Sequence, residues 1–375
     1  MKIACITPSR IPSNTANSIQ VMKVSQALAQ IGHDVRLWTP GAQKHPWSEL
    51  SATYGLTTPF EVTWQSSQPA FKRYDLSLTA LNAAAAWRAD LVYTWLPQVS
   101  LLALMRKMPV VLEVHDRPTG RFGPWLLRQT VKNTGKKRIA VITHALAKVL
   151  QKEFRLVIRP DDLVIAPNGV DLERFEALPE PHVARAQLGL PVEPITAVYT
   201  GHLYAGRGIE LVFGLAKAFP QVNFLLVGGN SDSVESSRRA AAAAGLQNIT
   251  FTGFIPNQRL PLFQSAGDIL LMPYGRVIAG SSGGNSADIC SPMKMFEYLA
   301  TGRAILCSDL PVFHEVLNEQ NTAFCQVDEL ESWIAGLTRL IREPDIINRL
   351  GLQAKIDAQR YNWKARASAI LRNLD

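Results

Sequence analysis

The sequence predicts an α/β protein made of two doubly wound parallel sheets in tandem, and three observations lead there. Short runs rich in β-branched residues alternate with helix-period segments from the first residue onward. That alternation breaks once, over 176–194, where ALPEPHVARAQLGLPVEP is rich in proline, and then restarts. At ~150 residues per domain, the 375 residues amount to two or three domains.

KIACIT (2–7) is an apolar run stopped by Pro8, hence a buried strand. Ile19, Met22, Val24, Ala27, Leu28 and Ile31 follow at helical spacing, and Gly32 ends that helix. VRLWTP is the next strand, so the opening is a right-handed crossover unit and its sheet is parallel. DLVYTW, PVVLEVHD, RIAVIT and LVIAPNGVD continue the strands. After the proline-rich stretch come ITAVYTG, NFLLVGG, NITFTGF, DILLMPY and AILCSD as strands, interleaved with helices over Ile209–Phe219, SVESSRRAAAAAG, LPLFQSAG and KMFEYLATG. The polar segment 343–375 reads as helical, with Trp363 either an anchor onto the first domain or a core tryptophan at a helix end. The expected boundaries are a first domain at 1–175, a link at 176–194, a second domain at 195–355 and a returning helix at 356–375. Two such sheets in tandem are expected to place a cleft at the carboxyl ends of their strands.

Composition removes several classes. Apolar residues are 47% and charged residues 19%, which excludes intrinsic disorder. Four scattered cysteines contain no CxxC pair, matching neither a disulfide framework nor a thiolate zinc site. The net charge of +8 points to anionic partners. The most apolar stretch, 76–105, is broken by Arg88 and Asp90 before it reaches the ~18 residues of a membrane span. MKIACITPSR is too short to read as a leader, so a cytoplasmic location is expected.

The first strand-to-helix turn, PSRIPSNTANS, contains no glycine and therefore lacks the dinucleotide fingerprint. It offers small polar residues at 13–18 at a helix start, Asn17 among them, which either meet an anion or cap the helix. In YTGHLYAGRGIE, Arg207 stands between two glycines ahead of a helix, a placement that suits a diphosphate. In SPMKMFEYLATG, Lys294 and Glu297 are three apart and share a helix face. The ammonium can add charge to the same diphosphate, and the carboxylate can accept hydrogen bonds from a ribose diol. Any one of the three could be a solvated surface charge, but all three stand at carboxyl-end loops of one sheet.

PNGVDLERF, GHLYAGRGIE, NFLLVGG, ITFTGF, SPMKMFEYLATGRAILCSDLPVFHEVL and YNWKARA together resemble family 4 glycosyltransferases of the GT-B fold, and the resemblance spans nearly the whole chain. It implies two Rossmann-like domains and a retaining, metal-independent transfer from a nucleoside diphosphate sugar, with no further cofactor. By the resemblance, Arg207 stands at a diphosphate-binding lysine, and Glu297 is the ribose-binding second glutamate of an E-x7-E pair. Lys294 belongs to the S-P-x-K variant and faces the diphosphate. His115, ending a first-domain strand, lies near the transferred sugar. Gly201, His202 and Ser291 complete the expected donor set, and Gly253 and Ile255 bracket the expected base contacts. Catalytic roles accordingly fall to His115, Arg207 and Lys294.

Three positions depart from the family. Ile289 replaces the first glutamate, so the sugar contact passes to Asp288 or to amides of the loop 283–290. His202 stands where many members have arginine. The first loop lacks paired glycines, which makes Ala16 and Asn17 the nearest equivalents.

From 117 to 138 there are seven basic residues and no acidic one, with Phe122, Trp125 and Leu126 at i, i+3, i+4. Such a segment could lie on an anionic membrane surface, form a solvated face over a core stripe, or hold an anionic acceptor. The expected activity is transfer of a sugar to a glycan, lipid or small-molecule acceptor, in polysaccharide or glycolipid biosynthesis. An epimerase of the same fold and a non-catalytic nucleotide-sugar binder are the competing readings. No nucleic-acid motif accompanies the basic run.

Overall fold

The computed structural model describes residues 1–71, 73–204, 206–278 and 284–374. They form two compact units, Met1–Asn168 with Trp363–Asp375, and Gly169–Asn362.

In the first unit seven strands, β1 (Lys2–Ile6), β2 (Asp34–Pro40), β3 (Glu61–Gln65), β4 (Leu91–Thr94), β5 (Val110–Val114), β6 (Lys137–Val141) and β7 (Leu163–Ile165), form one sheet in the order 3-2-1-4-5-6-7. Every pairing is parallel. Helices shield both faces of such a sheet, so its central strands are buried throughout: β4 and β5 have no exposed residue. The helix Ala16–Gln30 is capped by the Thr15 hydroxyl, which accepts from the Ser18 amide. The helix Trp363–Leu371 packs along it, with Trp363 and Ile370 buried. The two-sheet architecture and the returning helix are therefore as expected.

In the second unit β8 (Thr196–Thr200), β9 (Asn223–Val227), β10 (Ile249–Gly253), β11 (Ile269–Met272), β12 (Ala304–Ser308) and β13 (Ala323–Cys325) form a parallel sheet in the order 10-9-8-11-12-13. The order reverses between β8 and β11, the switch point where ligands meet the carboxyl ends of the strands in such sheets. One core layer joins Tyr199, Phe224, Leu226, Leu271 and Leu306 to Trp333 and Leu337 of the helix Leu330–Arg342. The proline-rich stretch also carries a helix, Pro181–Leu188. Its Arg185 donates to the carbonyls of Val192 and Ala266 and to Asp268 at 2.8 Å.

The basic run divides in two. Lys137 lies on β6, is buried, and pairs with Asp162 at 3.0 Å. Arg138 donates to the carbonyls of Asp161 and Arg372, Arg128 to that of Phe154, and Arg117 pairs with Glu153. The apolar triplet splits as well: Leu126 enters the core, whereas Phe122 and Trp125 are 56% and 51% exposed. A strand alternates its faces, so a linear tally of charges places Lys137 on a surface it does not reach. Among the described residues no helix is long and apolar enough to cross a membrane.

Candidate active site

The second-unit site is assembled at the carboxyl ends of β8 and β11. The loop after β8 passes so close to the loop after β11 that only glycine fits beside Arg207. A Cβ on Gly206 would lie 2.2 Å from the Val277 carbonyl oxygen, and one on Gly208 would lie 1.9 Å from that of Pro273. Both glycines also hold φ near +75° (81° and 70°), a region side chains disfavour. The consequence is that Arg207 is carried against Tyr274, its guanidinium 4.9 Å from that ring centroid and 4.9 Å from that of Tyr204. Its Nη2 donates to the Tyr204 hydroxyl at 2.7 Å, while Nε is buried without a partner among the described residues.

Lys294 approaches the same ring from the helix Met293–Thr301. That helix is pinned to the sheet by Tyr298, whose buried hydroxyl accepts from the Thr200 amide at 2.8 Å. The Lys294 ammonium stands 3.9 Å from the Tyr199 centroid and 5.3 Å from that of Tyr274. It is shielded from solvent and has no hydrogen-bond partner among the described residues. Among the described residues, neither cation forms a salt bridge with a carboxylate. Burial, and after it the Arg207 charge, push the Lys294 ammonium well below the usual lysine range, with Glu297 opposing. The two cations thus share one tyrosine, and neither is ion-paired among the described residues. Cation–π contact holds them in place without occupying every N–H donor.

Glu297 lies one helical turn from Lys294 and accepts from Gln264 Nε2 at 2.9 Å. Gln264 is itself buried. Arg174 feels the Glu297 charge and is fixed by bonds to the side chain and carbonyl of Asn257. Gly201 leaves room for the cation: a Cβ there would be 2.8 Å from Lys294 Nζ. The His202 ring stacks on Tyr204 at 5.4 Å. Gly253 ends β10 with its carbonyl accepting from Gly228, and Ile255 is half-buried beyond it. Ser291 is buried just ahead of the helix Met293–Thr301.

The departure at 289 has a structural account. Ile289 is fully buried, and the neighbouring Asp288 is exposed. The amides of Ser286, Ala287, Ile289 and Cys290 all donate within the loop, to Ile278, Asn285 and Ser286. Gly283, the first residue of the expected loop contact, lies outside the described residues. Asp288 is therefore the exposed carboxylate of this loop.

In the first unit, His115 follows β5 and its Nε2 is 2.7 Å from Glu113 Oε1. Asn17 is exposed in the first turn of the helix Ala16–Gln30, where Thr15 and not Asn17 is the cap. Sequence reasoning missed Tyr199, Tyr204 and Tyr274 as the cage, Gln264 and Arg174 beside Glu297, and Glu113 with Arg366. The signals available were a tyrosine inside YTG, another directly after DILLMP, and the glutamate two residues before His115.

Comparisons with known proteins follow the same division. Residues 18–174 match the family described as Glycosyltransferase Family 4, and residues 195–343 the family described as Glycosyl transferases group 1. A 2-deoxystreptamine glucosyltransferase of Streptomyces kanamyceticus is 31% identical over 53% of this chain and 51% of its own length. The match thus spans about half of that relative. A phosphatidyl-myo-inositol mannosyltransferase of Mycolicibacterium smegmatis is 22% identical over 99% of this chain and 93% of its own. Among solved structures, Anabaena HepE in complex with UDP superposes with a TM-score of 0.75 at 17% identity, covering 100% of this chain and 99% of that one. The same protein in complex with UDP-glucose gives 0.73, with the same coverage.

Proposed function

The chain belongs to the glycosyltransferases, its first part to family 4 and its second to group 1, and from that premise we propose a retaining transfer of a hexose from a nucleoside diphosphate sugar to an acceptor hydroxyl. The observation that carries the donor assignment is the pair of tyrosine-caged cations, Arg207 and Lys294, which form no salt bridge among the described residues. A diphosphate supplies the missing charge. Glu297, braced by Gln264, accepts from the ribose diol, Asp288 meets the sugar hydroxyls, and His115 contacts the transferred sugar. As the bond from the anomeric carbon to the β-phosphate oxygen breaks, negative charge grows on the leaving diphosphate. The guanidinium and ammonium stabilise it there without a metal ion. The acceptor oxygen bonds to the anomeric carbon on the same face, and its proton passes to the departing diphosphate. A UDP donor is favoured by the nucleotide named for the structural neighbour. A polyhydroxylated ring as acceptor is favoured by the deoxystreptamine and inositol named for the relatives.

Incubation with UDP-, GDP- and ADP-hexoses and a cyclitol and glycolipid panel tests the activity. The expected result is free nucleoside diphosphate together with a glycosylated acceptor. An isomerised donor without release, or binding without turnover, would instead identify the epimerase or the binder.

Membrane contact, as part of the same proposal, narrows to Phe122 and Trp125 with the exposed Arg121, Lys132 and Lys136. The chain should sediment with anionic vesicles, less so as salt rises, because exposed charges are screened beyond ~8 Å at physiological ionic strength. Phe122→Ala with Trp125→Ala should abolish sedimentation. Lys137 is not a target, since its ion pair with Asp162 is buried. Equal binding to neutral vesicles would exclude this contact.

A further inference from the structure

Glu113 is buried on β5, yet five hydrogen bonds converge on its carboxylate. Oε1 accepts from Gln20 Nε2 at 2.5 Å, from Arg366 Nη2 at 2.5 Å and from His115 Nε2 at 2.7 Å. Oε2 accepts from the Tyr93 hydroxyl and from Arg366 Nη1 at 3.3 Å. The donors come from the first helix, β4, the end of β5 and the C-terminal helix, so one side chain ties together elements 253 residues apart in sequence. Arg366 is oriented in turn by the carbonyls of Ala166 and Pro167.

Burial opposes ionisation of Glu113, but the adjacent Arg366 guanidinium prevails and holds its pKa down to about 2. An ionised carboxylate accepts hydrogen bonds and cannot donate them. The imidazole nitrogen that meets it must therefore carry the proton. Residues 113 and 115 are two apart and project to the same side of the chain, which is what lets the carboxylate reach the ring. Nδ1 of His115 has no hydrogen-bond partner among the described residues, and the side chain is 20% exposed.

We propose that Glu113, held by Arg366 and Tyr93, is a positioning residue that fixes His115 as the Nε2–H tautomer and presents Nδ1 as a hydrogen-bond acceptor. The inference rests on the reading that His115 contacts the transferred sugar, and it makes that contact specific. In the Nε2–H tautomer the free Nδ1 accepts a hydrogen bond, so the partner it fits is a sugar hydroxyl, which can donate, and not an ionised phosphate oxygen, which cannot. The C-terminal helix thereby acts on the chemistry of the first unit through Arg366, without itself touching substrate.

Two measurements decide the proposal. The first is the 15N spectrum of the His115 ring in the full-length wild-type chain, at a pH where the ring is neutral. The Nε2–H tautomer is expected, and the Nδ1–H tautomer would overturn the proposal without any variant having to fold. The second is a double-mutant cycle of Glu113→Gln and His115→Ala. Glu113→Gln alone should lower kcat by ~10–100-fold, by analogy with the loss of a carboxylate that orients a metal-bound histidine, and leave KM for the donor nearly unchanged. In the His115→Ala background the same change should cost almost nothing. Equal losses in both backgrounds would make Glu113 merely structural and sink the inference while leaving His115 in place. Full activity of His115→Ala alone would remove the sugar-contact reading, and the positioning role with it.

Discussion

Replacing Lys294 by alanine should lower transfer at least ~100-fold, and Arg207→Ala should do the same, the loss seen when a group stabilising developing charge is removed. Each cation is held by aromatic rings and forms no salt bridge among the described residues, so its charge is free for a diphosphate. Arg207→Lys should not restore activity, because a point charge lacks the planar fork that grips two phosphate oxygens at once. A change at His202 should cost far less, since its ring stacks on Tyr204 outside the pair of cations. The measurement is steady-state kcat/KM with the donor the panel identifies. Near-full activity of Lys294→Ala would remove that residue from the diphosphate site.

Arg366→Leu should be the most destabilising single change in the first unit. It leaves Glu113 charged and fully buried with its principal counter-ion gone, a defect that costs about 3–5 kcal/mol. Against a total stability of about 5–15 kcal/mol, urea unfolding should register a large drop in midpoint. Replacing Glu113 by leucine as well should recover much of the loss, because two packed apolar side chains need no charge partner. The pH dependence follows from the direction of the shift. Glu113 has a folded pKa of about 2 against an ordinary 4.5. Its contribution in the wild-type chain is therefore present above the ordinary value and lost as pH falls through the folded one. In Arg366→Leu the sign reverses. The unpaired buried carboxylate favours its proton, so acidification from neutral pH down to the ordinary carboxylate value should stabilise the variant. Unfolding curves that move together with pH in the two proteins would contradict this account of the clamp.

Much of the fold was legible because buried parallel strands leave a local mark. β1, β4, β5, β8, β9, β11 and β12 are short apolar runs ended by Pro, Gly, Thr, Ser or Asp. The strands that escaped are edges. β3 (EVTWQ) is half-exposed along its length, and β13 has three residues, so neither presents a continuous apolar run. The site divides in the same way. Arg207, Lys294 and Glu297 stand out because glycine spacing and helical spacing are local. The cage around them does not: Tyr199 and Tyr274 are 75 positions apart (274 − 199), and each reads as an ordinary core residue beside its strand. Glu113 and Arg366 meet only through the return of the last helix, which no window of sequence encodes. Asp288 is the intermediate case. Its position beside Ile289 is readable, but only the turn that buries 289 shows which of the two reaches solvent.

The central claim is that the caged cations receive a diphosphate, and calorimetric titration of UDP tests it most directly. In the free chain, burial and Arg207 depress the Lys294 ammonium; a bound polyanion favours the protonated form, so binding should draw a proton from the buffer. Affinity should strengthen as pH falls through the interval between the free and bound pKa values. Uridine, which lacks the phosphates, should show neither effect, and Lys294→Met should abolish proton uptake while weakening UDP. Proton uptake that depends on Lys294 and on the phosphates is the predicted result. UDP affinity unchanged in Lys294→Met, with no proton taken up by either protein, would contradict it.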